Sequence, residues 1–286
     1  MTTDFPGFLN KKRLSVSSKK TYVAIVRKIQ SENPELDKYQ YRDIIGLMGK
    51  IQRNFSGTAF PGTSLAALKH YFNFLVEEGF REDHPCITMR LRSNVSREII
   101  PTDLFSMTEL HLLLKRTERY KELELRNKIL ISLLIYQAAT PGEIVKSLWD
   151  DIDLDSETIF LRGTRSISRR RIKLLSNQLD WLDEYGIERS SYENKTNLLL
   201  GKLGNGVTPD DIQYLISTAC HLFPDRKLTA QTIRQSVIAF WLNEKKIPLE
   251  QVQLLAGHKW ISSTQRYHFP DFESDKKILR KLHPLG

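Results

Sequence analysis

A polar stretch at residues 92–103, which contains Pro101, separates two parts of the chain whose apolar residues are spaced differently. Before it, apolar residues recur at helical spacing, and no segment alternates as a strand would. After it, helical patterns return, but two short segments at 158–163 and 170–175 have the composition of strands. The 286 residues are enough for two domains of ordinary size. The sequence therefore predicts two domains joined by a linker at about residues 96–103.

The first domain, residues 1–95, is predicted to be a small helical bundle. Apolar residues recur at helical spacing in three segments: 15–31, 41–55 and 63–78. The third has the clearest boundaries, because Thr63 or Ser64 is a favourable N-cap and Gly79 follows the last apolar residue. These features favour a bundle resembling four helices.

The second domain, residues 104–286, is predicted to be mostly helical. Helices are expected at 108–115, 125–138, 176–185, 208–222, 229–244 and 248–256. The segments Thr158–Gly163 and Arg170–Leu175 are separated by a polar loop, which indicates a strand hairpin. Gly257 ends the last helix, and a short amphipathic tail spans 271–286. The predicted fold class is therefore mainly α with a small antiparallel sheet.

The composition favours a partner with many negative charges. The net charge is +9 and the pI about 9.4. Neutralising phosphates releases condensed counterions, so a nucleic acid is one such partner, and a basic protein without one is the alternative. Cys86 and Cys220 have no metal-ligand spacing, and no apolar run approaches the length of a membrane span. We expect a cytoplasmic protein with no metal site and no membrane partner.

Four polar residues near the end of the chain form a spaced pattern. Gln231 and Arg234 are three residues apart on one predicted helix, so they share a face. A helix end precedes His258, and Tyr267 follows nine residues later. Taken singly, three of the four have a structural explanation: packing for the tyrosine, a helix C-cap for the histidine and an ion pair for the arginine. Their common order favours one site.

This pattern resembles the tyrosine recombinases of the phage integrase type, Xer-like members included. Their hallmark is His-x-x-Arg, then Leu-Gly-His, then a tyrosine about nine residues on. Here the sequence reads Gln-x-x-Arg, Leu-Ala-Gly-His and the same interval to Tyr267. Residues 126–153 resemble the segment with the family's first catalytic arginine, and residues 15–85 resemble its helical core-binding domain. The resemblance covers nearly the whole chain.

The resemblance implies a two-domain DNA clamp, with a SAM-like core-binding domain and a mixed α/β catalytic domain. Tyr267 would attack a DNA phosphate, giving a 3′-phosphotyrosyl bond and a free 5′-hydroxyl, with no ATP, metal or other cofactor. Arg234, His258 and Gln231 would donate to the anionic transition state. The tail would dock on a neighbouring protomer, giving a homo-oligomer, a tetramer on duplex DNA, or an assembly with a partner recombinase. The expected location is the bacterial nucleoid, and a mobile element is a plausible source.

Three family positions differ in this chain. The first arginine falls on Thr140, which has no cationic fork, and the first histidine falls on Gln231, which still donates a neutral hydrogen bond. The hairpin lysine, the usual general acid, falls near Arg165, and an arginine is a poor proton donor. Lys173 is an alternative acid, as is Lys146.

Three interpretations follow from these differences. The first is an active recombinase with a rearranged catalytic set, recruiting Arg165 or the run 169–171. The second is a catalytically impaired accessory protein that binds DNA beside an active partner, and the third is a DNA-binding regulator. We favour the first, because a binding module has no need of Tyr267. An RNA-binding helical protein is a further alternative, and it predicts no role for that tyrosine.

Five basic residues are predicted to contact the DNA backbone. They are Lys19, Lys20, Arg169, Arg170 and Arg171. The alternative is a solvated loop for the run 169–171 and a disordered basic arm for Lys19 and Lys20.

Overall fold

The chain divides between residues 97 and 98 into two units, each with its own apolar core. The computed structural model describes residues 4–92, 98–194 and 196–269. The predicted tail at 271–286 lies outside the described residues, as does part of the predicted linker. Within the described ranges, no helix is both long and apolar enough to cross a membrane.

The first unit is helical throughout its regular structure. Its α-helices are α1 (Phe5–Lys11), α2 (Val16–Glu32), α3 (Tyr41–Asn54) and α4 (Phe60–Glu77). Ser15 caps α2, because its hydroxyl accepts a hydrogen bond from the Ser18 amide at 3.0 Å. Leu68 and Phe72 of α4 are fully buried and form the centre of this core. The short turns between helices fit the expected bundle.

One helix boundary and one whole helix in this unit differ from the prediction. The third predicted helix begins at Phe60 and not after Thr63, because Pro61 occupies its first turn, where the missing amide proton is not needed. The stretch before residue 15 contains a short helix, α1, which the sequence pattern did not predict. Phe8 packs on Phe74 there with ring centroids 5.6 Å apart, so burial of aromatic rings stabilises it.

The second unit combines helices with one small sheet. Its helices are α5 (Met107–Leu112), α6 (Glu124–Tyr136), α7 (Pro141–Ile144), α8 (Ser176–Arg189), α9 (Pro209–Ser217), α10 (Ala230–Asn243), α11 (Leu249–Ala256) and α12 (Ile261–Gln265). Residues 129–135 of helix α6 are buried on all sides, which is typical of a central helix, and Leu134 and Ile135 are completely buried. Helices α8 and α10 pack against α6 and enclose the core.

The sheet is antiparallel and has three strands in sequence order. They are β1 (Ile152–Asp153), β2 (Thr158–Leu161) and β3 (Arg170–Lys173). Ile159 pairs with Ile172, and Leu161 pairs with Arg170. Alternation in β3 places Arg170 and Ile172 on the buried side of the sheet. Arg171 and Lys173 lie on the exposed side. Strand β1 was not predicted, because it has only two residues.

Candidate active site

Helix α10 holds Arg234 inside the second unit. Thr229 caps this helix by accepting a hydrogen bond from the Thr232 amide at 3.0 Å, which fixes where the first turn begins. The Arg234 side chain is 4% exposed and donates to the carbonyl oxygens of Ala138 and Ala256. Two backbone segments therefore orient the guanidinium, and donors remain for a third acceptor, since the group has five N–H bonds.

A glycine turn connects α11 to His258. Gly257 is left-handed, with φ of 69°, and its carbonyl accepts from the Ser168 amide at 2.8 Å. A Cβ at this position would lie 2.8 Å from the Ile167 Cγ2 atom and 2.9 Å from an Arg170 guanidinium nitrogen. Only glycine fits here, for conformation and for space, so the turn sets His258 against the hairpin between β2 and β3.

Helix α12 places Tyr267 beside His258. The two rings are stacked, with centroids 5.8 Å apart and planes 19° from parallel. The His258 Nδ1 atom is 2.9 Å from the hydroxyl of Thr264, which is fully buried in α12. Asn243 of α10 donates to the Tyr267 carbonyl at 2.7 Å and accepts from the Phe269 amide at 3.0 Å. The tyrosine is thereby fixed to the helix that carries Arg234.

Thr140, the predicted position of the family's first arginine, lies at the start of α7. Thr140 caps this helix, and both its amide and its hydroxyl bond the Glu143 carboxylate, at 2.9 and 2.8 Å. Glu143 is completely buried and forms an ion pair with Arg170, which is 8% exposed. The Arg170 Nε atom also donates to the Leu255 carbonyl at 2.7 Å.

Arg170 was predicted to contact the DNA backbone as part of the run 169–171, and the structure separates the three residues of that run. Its side chain is buried in this cluster, whereas Arg169 and Arg171 are exposed.

Charge and burial shift the pKa values of the three residues around this cluster. Burial lowers the pKa of Arg234 to about 10, with a further contribution from the nearby Arg170 charge, so the guanidinium is charged at neutral pH. Burial, then the charges of Arg234 and Arg170, lower the pKa of His258 to about 4. Burial raises the pKa of Tyr267, and the Arg234 charge partly opposes this. At neutral pH the site holds a neutral imidazole and a neutral phenol beside two cations.

Among the described residues, neither Arg165 nor Lys173 bonds a side chain of this cluster. Arg165 is exposed in the hairpin loop, and its carbonyl accepts from the Lys259 ammonium at 2.7 Å. Lys173 lies on the exposed face of β3, where it bonds the Ser156 carbonyl at 3.2 Å and pairs with Glu157. The structure thus does not bring Lys173 to His258 and Tyr267.

The other predicted contact residues are at the surface. Gln231 is exposed in the first turn of α10, one turn before Arg234. In the first unit, Lys20 is exposed on the first turns of α2, and Lys19 donates to the Asn10 carbonyl at 3.2 Å. Arg171 bonds the Thr158 hydroxyl at 3.1 Å, so part of its donor capacity is used within the sheet.

The sequence pattern did not indicate Glu143 and Thr264 of this cluster, or Lys259, which lines a pocket with His258. It gave no role to Glu143, although this residue is the buried anion between Thr140 and Arg170. It gave no role to Thr264 or Lys259. A capping-box spacing, threonine followed three residues later by glutamate, was the available signal for Glu143.

Comparison with known families identifies the chain. A model of the phage integrase family matches residues 105–273, more than half of its length. The chain belongs to the phage integrase family. This member is 26% identical to the tyrosine recombinase XerC of Alcanivorax borkumensis over 253 residues, 87% of this chain and 81% of that protein. It is 25% identical to the tyrosine recombinase XerD of Listeria innocua over 255 residues, 87% of this chain and 84% of that one.

Solved structures of integrases and recombinases share the fold of this family member. The Tn1549 transposon integrase in complex with a circular intermediate DNA superposes with a TM-score of 0.67 at 13% identity, over 98% of this chain and all of that one. The XerH site-specific recombinase bound to its difH substrate after cleavage gives 0.66 at 17% identity, over 85% and 70%. The predicted family and fold class, mainly helical with a small antiparallel sheet, are confirmed.

Proposed function

We propose that this phage integrase family chain is a site-specific DNA recombinase that breaks and rejoins DNA through Tyr267. The relatives named XerC and XerD support this assignment, and they favour it over a catalytically impaired accessory protein. The observation that carries the proposal is the stacking of Tyr267 on His258 next to the buried Arg234 guanidinium. A chain that only bound DNA would not need a tyrosine in this position.

The chemistry follows from these three side chains. The Tyr267 phenolic oxygen bonds to phosphorus and loses its proton, and the bond from phosphorus to the 5′ oxygen of the next nucleotide breaks. That oxygen takes up a proton and leaves as a hydroxyl, while the 3′ strand end stays on the tyrosine. Rejoining is the reverse reaction, so the broken bond's energy is conserved. Arg234 and neutral His258 donate hydrogen bonds to the non-bridging oxygens, whose charge grows in the transition state.

Duplex DNA is the proposed partner. Lys20 of the first unit and Arg169 of the hairpin loop are exposed cations suited to phosphate contacts, and Lys19, Arg171 and Gln231 are secondary candidates. A clamp of the two domains around DNA, with boundaries at 95 and 104, stays part of this proposal. So do a tetramer or a mixed assembly with a partner recombinase, action at the bacterial nucleoid, and a role in a mobile element.

A covalent trap tests the proposal. The protein is incubated with a pool of randomised duplexes that carry nicks, so that cleavage beside a nick releases a short 5′-hydroxyl fragment and prevents rejoining. We expect protein–DNA adducts that survive denaturation, and sequencing of the adducts gives the preferred site. Tyr267→Phe should abolish them, whereas Tyr214→Phe, which alters a tyrosine that is 72% exposed on α9, should not.

Two results would contradict the proposal. If the wild-type protein binds duplex DNA but forms no adduct, it is a binding protein. If Tyr267→Phe still forms adducts, another residue is the nucleophile.

A further inference from the structure

Arg170 is a buried cation of the second unit that has no role in the chemistry described so far. Arg170 belongs to a strand, yet its guanidinium contacts Glu143 at the start of α7 and the Leu255 carbonyl at the end of α11. Thr140, where the family's first arginine would stand, bonds the same Glu143 carboxylate. The Arg170 guanidinium therefore lies close to Thr140, the position at which the family's guanidinium is missing.

Charge balance indicates that this cluster is incomplete without an anion. Arg170 and Arg234 are both buried, and each acts electrostatically on His258. The charges of both Glu143 and Arg170 influence Arg234, and Glu143 is the buried carboxylate among these three. Two cations therefore share one buried anion. An excess positive charge in a desolvated site is costly unless an anion neutralises it.

Arg170 has unused hydrogen-bond donors and lines a surface pocket, so it could bind such an anion. The Arg170 guanidinium has five N–H groups. One donates to Leu255 and two donate to Glu143, so two are left. Arg170 and His258 also line the same surface pocket, together with Gly257 and Lys259. An oxygen bound in that pocket would meet donors from the Arg170 guanidinium and the His258 imidazole.

We propose that Arg170 is a catalytic residue, supplying from strand β3 the guanidinium that Thr140 lacks. It contacts a non-bridging oxygen of the phosphate that Tyr267 attacks, and Glu143 positions it. This inference rests on the proposed recombinase function. It adds that the site has a complete pair of guanidinium groups, with one of them relocated from a helix start to a strand.

The test separates a phosphate contact from a structural ion pair. Removing Arg170 alone would leave Glu143 as an unpaired buried charge, so the main variant is Glu143→Gln with Arg170→Met. The glutamine still accepts hydrogen bonds from Thr140, which preserves the helix cap. The matched control is Glu109→Gln with Arg226→Met, which removes another arginine–glutamate pair of the same unit. Thermal unfolding of each variant checks that it is folded.

The measurement is the single-turnover rate of adduct formation on the nicked duplex recovered by the covalent trap. A second duplex carries a neutral methylphosphonate at the cleaved position. We expect adduct formation by the main variant to be about 10²–10³-fold slower than wild type on the phosphate duplex, as for removal of one transition-state donor. On the methylphosphonate duplex the loss should shrink to a few-fold, because the charge that Arg170 would neutralise is gone. The control variant should stay within a few-fold of wild type on both.

The outcomes distinguish this inference from the function on which it rests. Two results would overturn the role of Arg170 and leave the Tyr267 chemistry standing. Either the main variant keeps the wild-type rate of adduct formation on the phosphate duplex, or its rate falls by the same factor on both duplexes. Absence of any wild-type adduct overturns both.

Discussion

The imidazole of His258 lies flat against the phenol ring of Tyr267, with centroids 5.8 Å apart and planes 19° from parallel. In this arrangement the His258 Nδ1 atom is turned to Thr264 at 2.9 Å. If the threonine hydroxyl donates to Nδ1, the proton of the neutral ring is on Nε2, which is then the donor for a phosphate oxygen. We therefore predict that Thr264 selects the tautomer that the proposed chemistry requires.

Substitution of Thr264 tests this tautomer. Thr264→Val removes the hydroxyl but keeps the shape, so we expect adduct formation to slow by about 10-fold or more, in line with the loss of a tautomer-fixing partner. Thr264→Ser keeps the hydroxyl and should retain most of the rate. Single-turnover trapping measures both, and equal rates for the two variants would contradict the assignment.

The low pKa of His258 predicts a pH dependence of stability. Its folded pKa is about 4, below the ordinary value of 6.5, so the unfolded chain binds more protons between these values. The free energy of unfolding should therefore fall as the pH drops from about 6.5 to about 4. His258→Gln should show a shallower fall.

Urea titration followed by tryptophan fluorescence measures this effect. Trp149, Trp181, Trp241 and Trp260 all belong to the second unit, and they are the chain's four tryptophans, so the signal reports on the unit that contains His258. Identical pH profiles for wild type and variant would show that His258 is not buried as a neutral ring.

Gly257→Ala should destabilise the second unit and slow cleavage. The left-handed backbone and the close contacts with Ile167 and Arg170 would each cost about 1–3 kcal/mol. Gly201→Ala is the matched control, because its added Cβ would be 3.5 Å from the nearest atom, an ordinary contact. Urea unfolding of the three proteins gives the comparison, and equal losses would mean that the turn tolerates a side chain.

The salt dependence of DNA binding reports the proposed backbone contacts. Each phosphate contact contributes about 0.9 to the slope of log affinity against log salt, so Lys20→Ala with Arg169→Ala should lower the slope by about 2. Lys38→Ala is the control, since Lys38 is an exposed lysine of the first unit paired with Glu35. Binding titrations at several salt concentrations measure the slopes, and an unchanged slope in the double variant would remove both residues from the interface.

Helix positions were largely predictable from the sequence, because helices bury one apolar stripe and end at residues with clear signals. Gly257 ended α11 as expected, and the two strands of the hairpin were located. Helix α1 and strand β1 were missed because each is too short to show a period, and tertiary packing stabilises them instead. The start of α4 was misplaced because Pro61 was not recognised as a first-turn residue.

The candidate site was predictable in its order but not in its pairings. The interval from Arg234 to Tyr267 gave the correct neighbours, since helices and a glycine turn fix that geometry locally. The pairing of Arg170 with Glu143 joins residues 27 positions apart through a strand register, which no local pattern specifies. One clue was available: alternation with Ile172 places Arg170 on the inner face of β3.

Asn243 has a consequence for which copy of the protein cuts which strand. Its amide holds the chain at the Tyr267 carbonyl and again at the Phe269 amide, so the nucleophile is tied to the helix that carries Arg234 of the same polypeptide. In an assembly of several copies, each tyrosine would then act in cis. A mixture of subunits in which some lack Tyr267 and the others lack Arg234 should stay inactive, since no copy could lend its tyrosine to another.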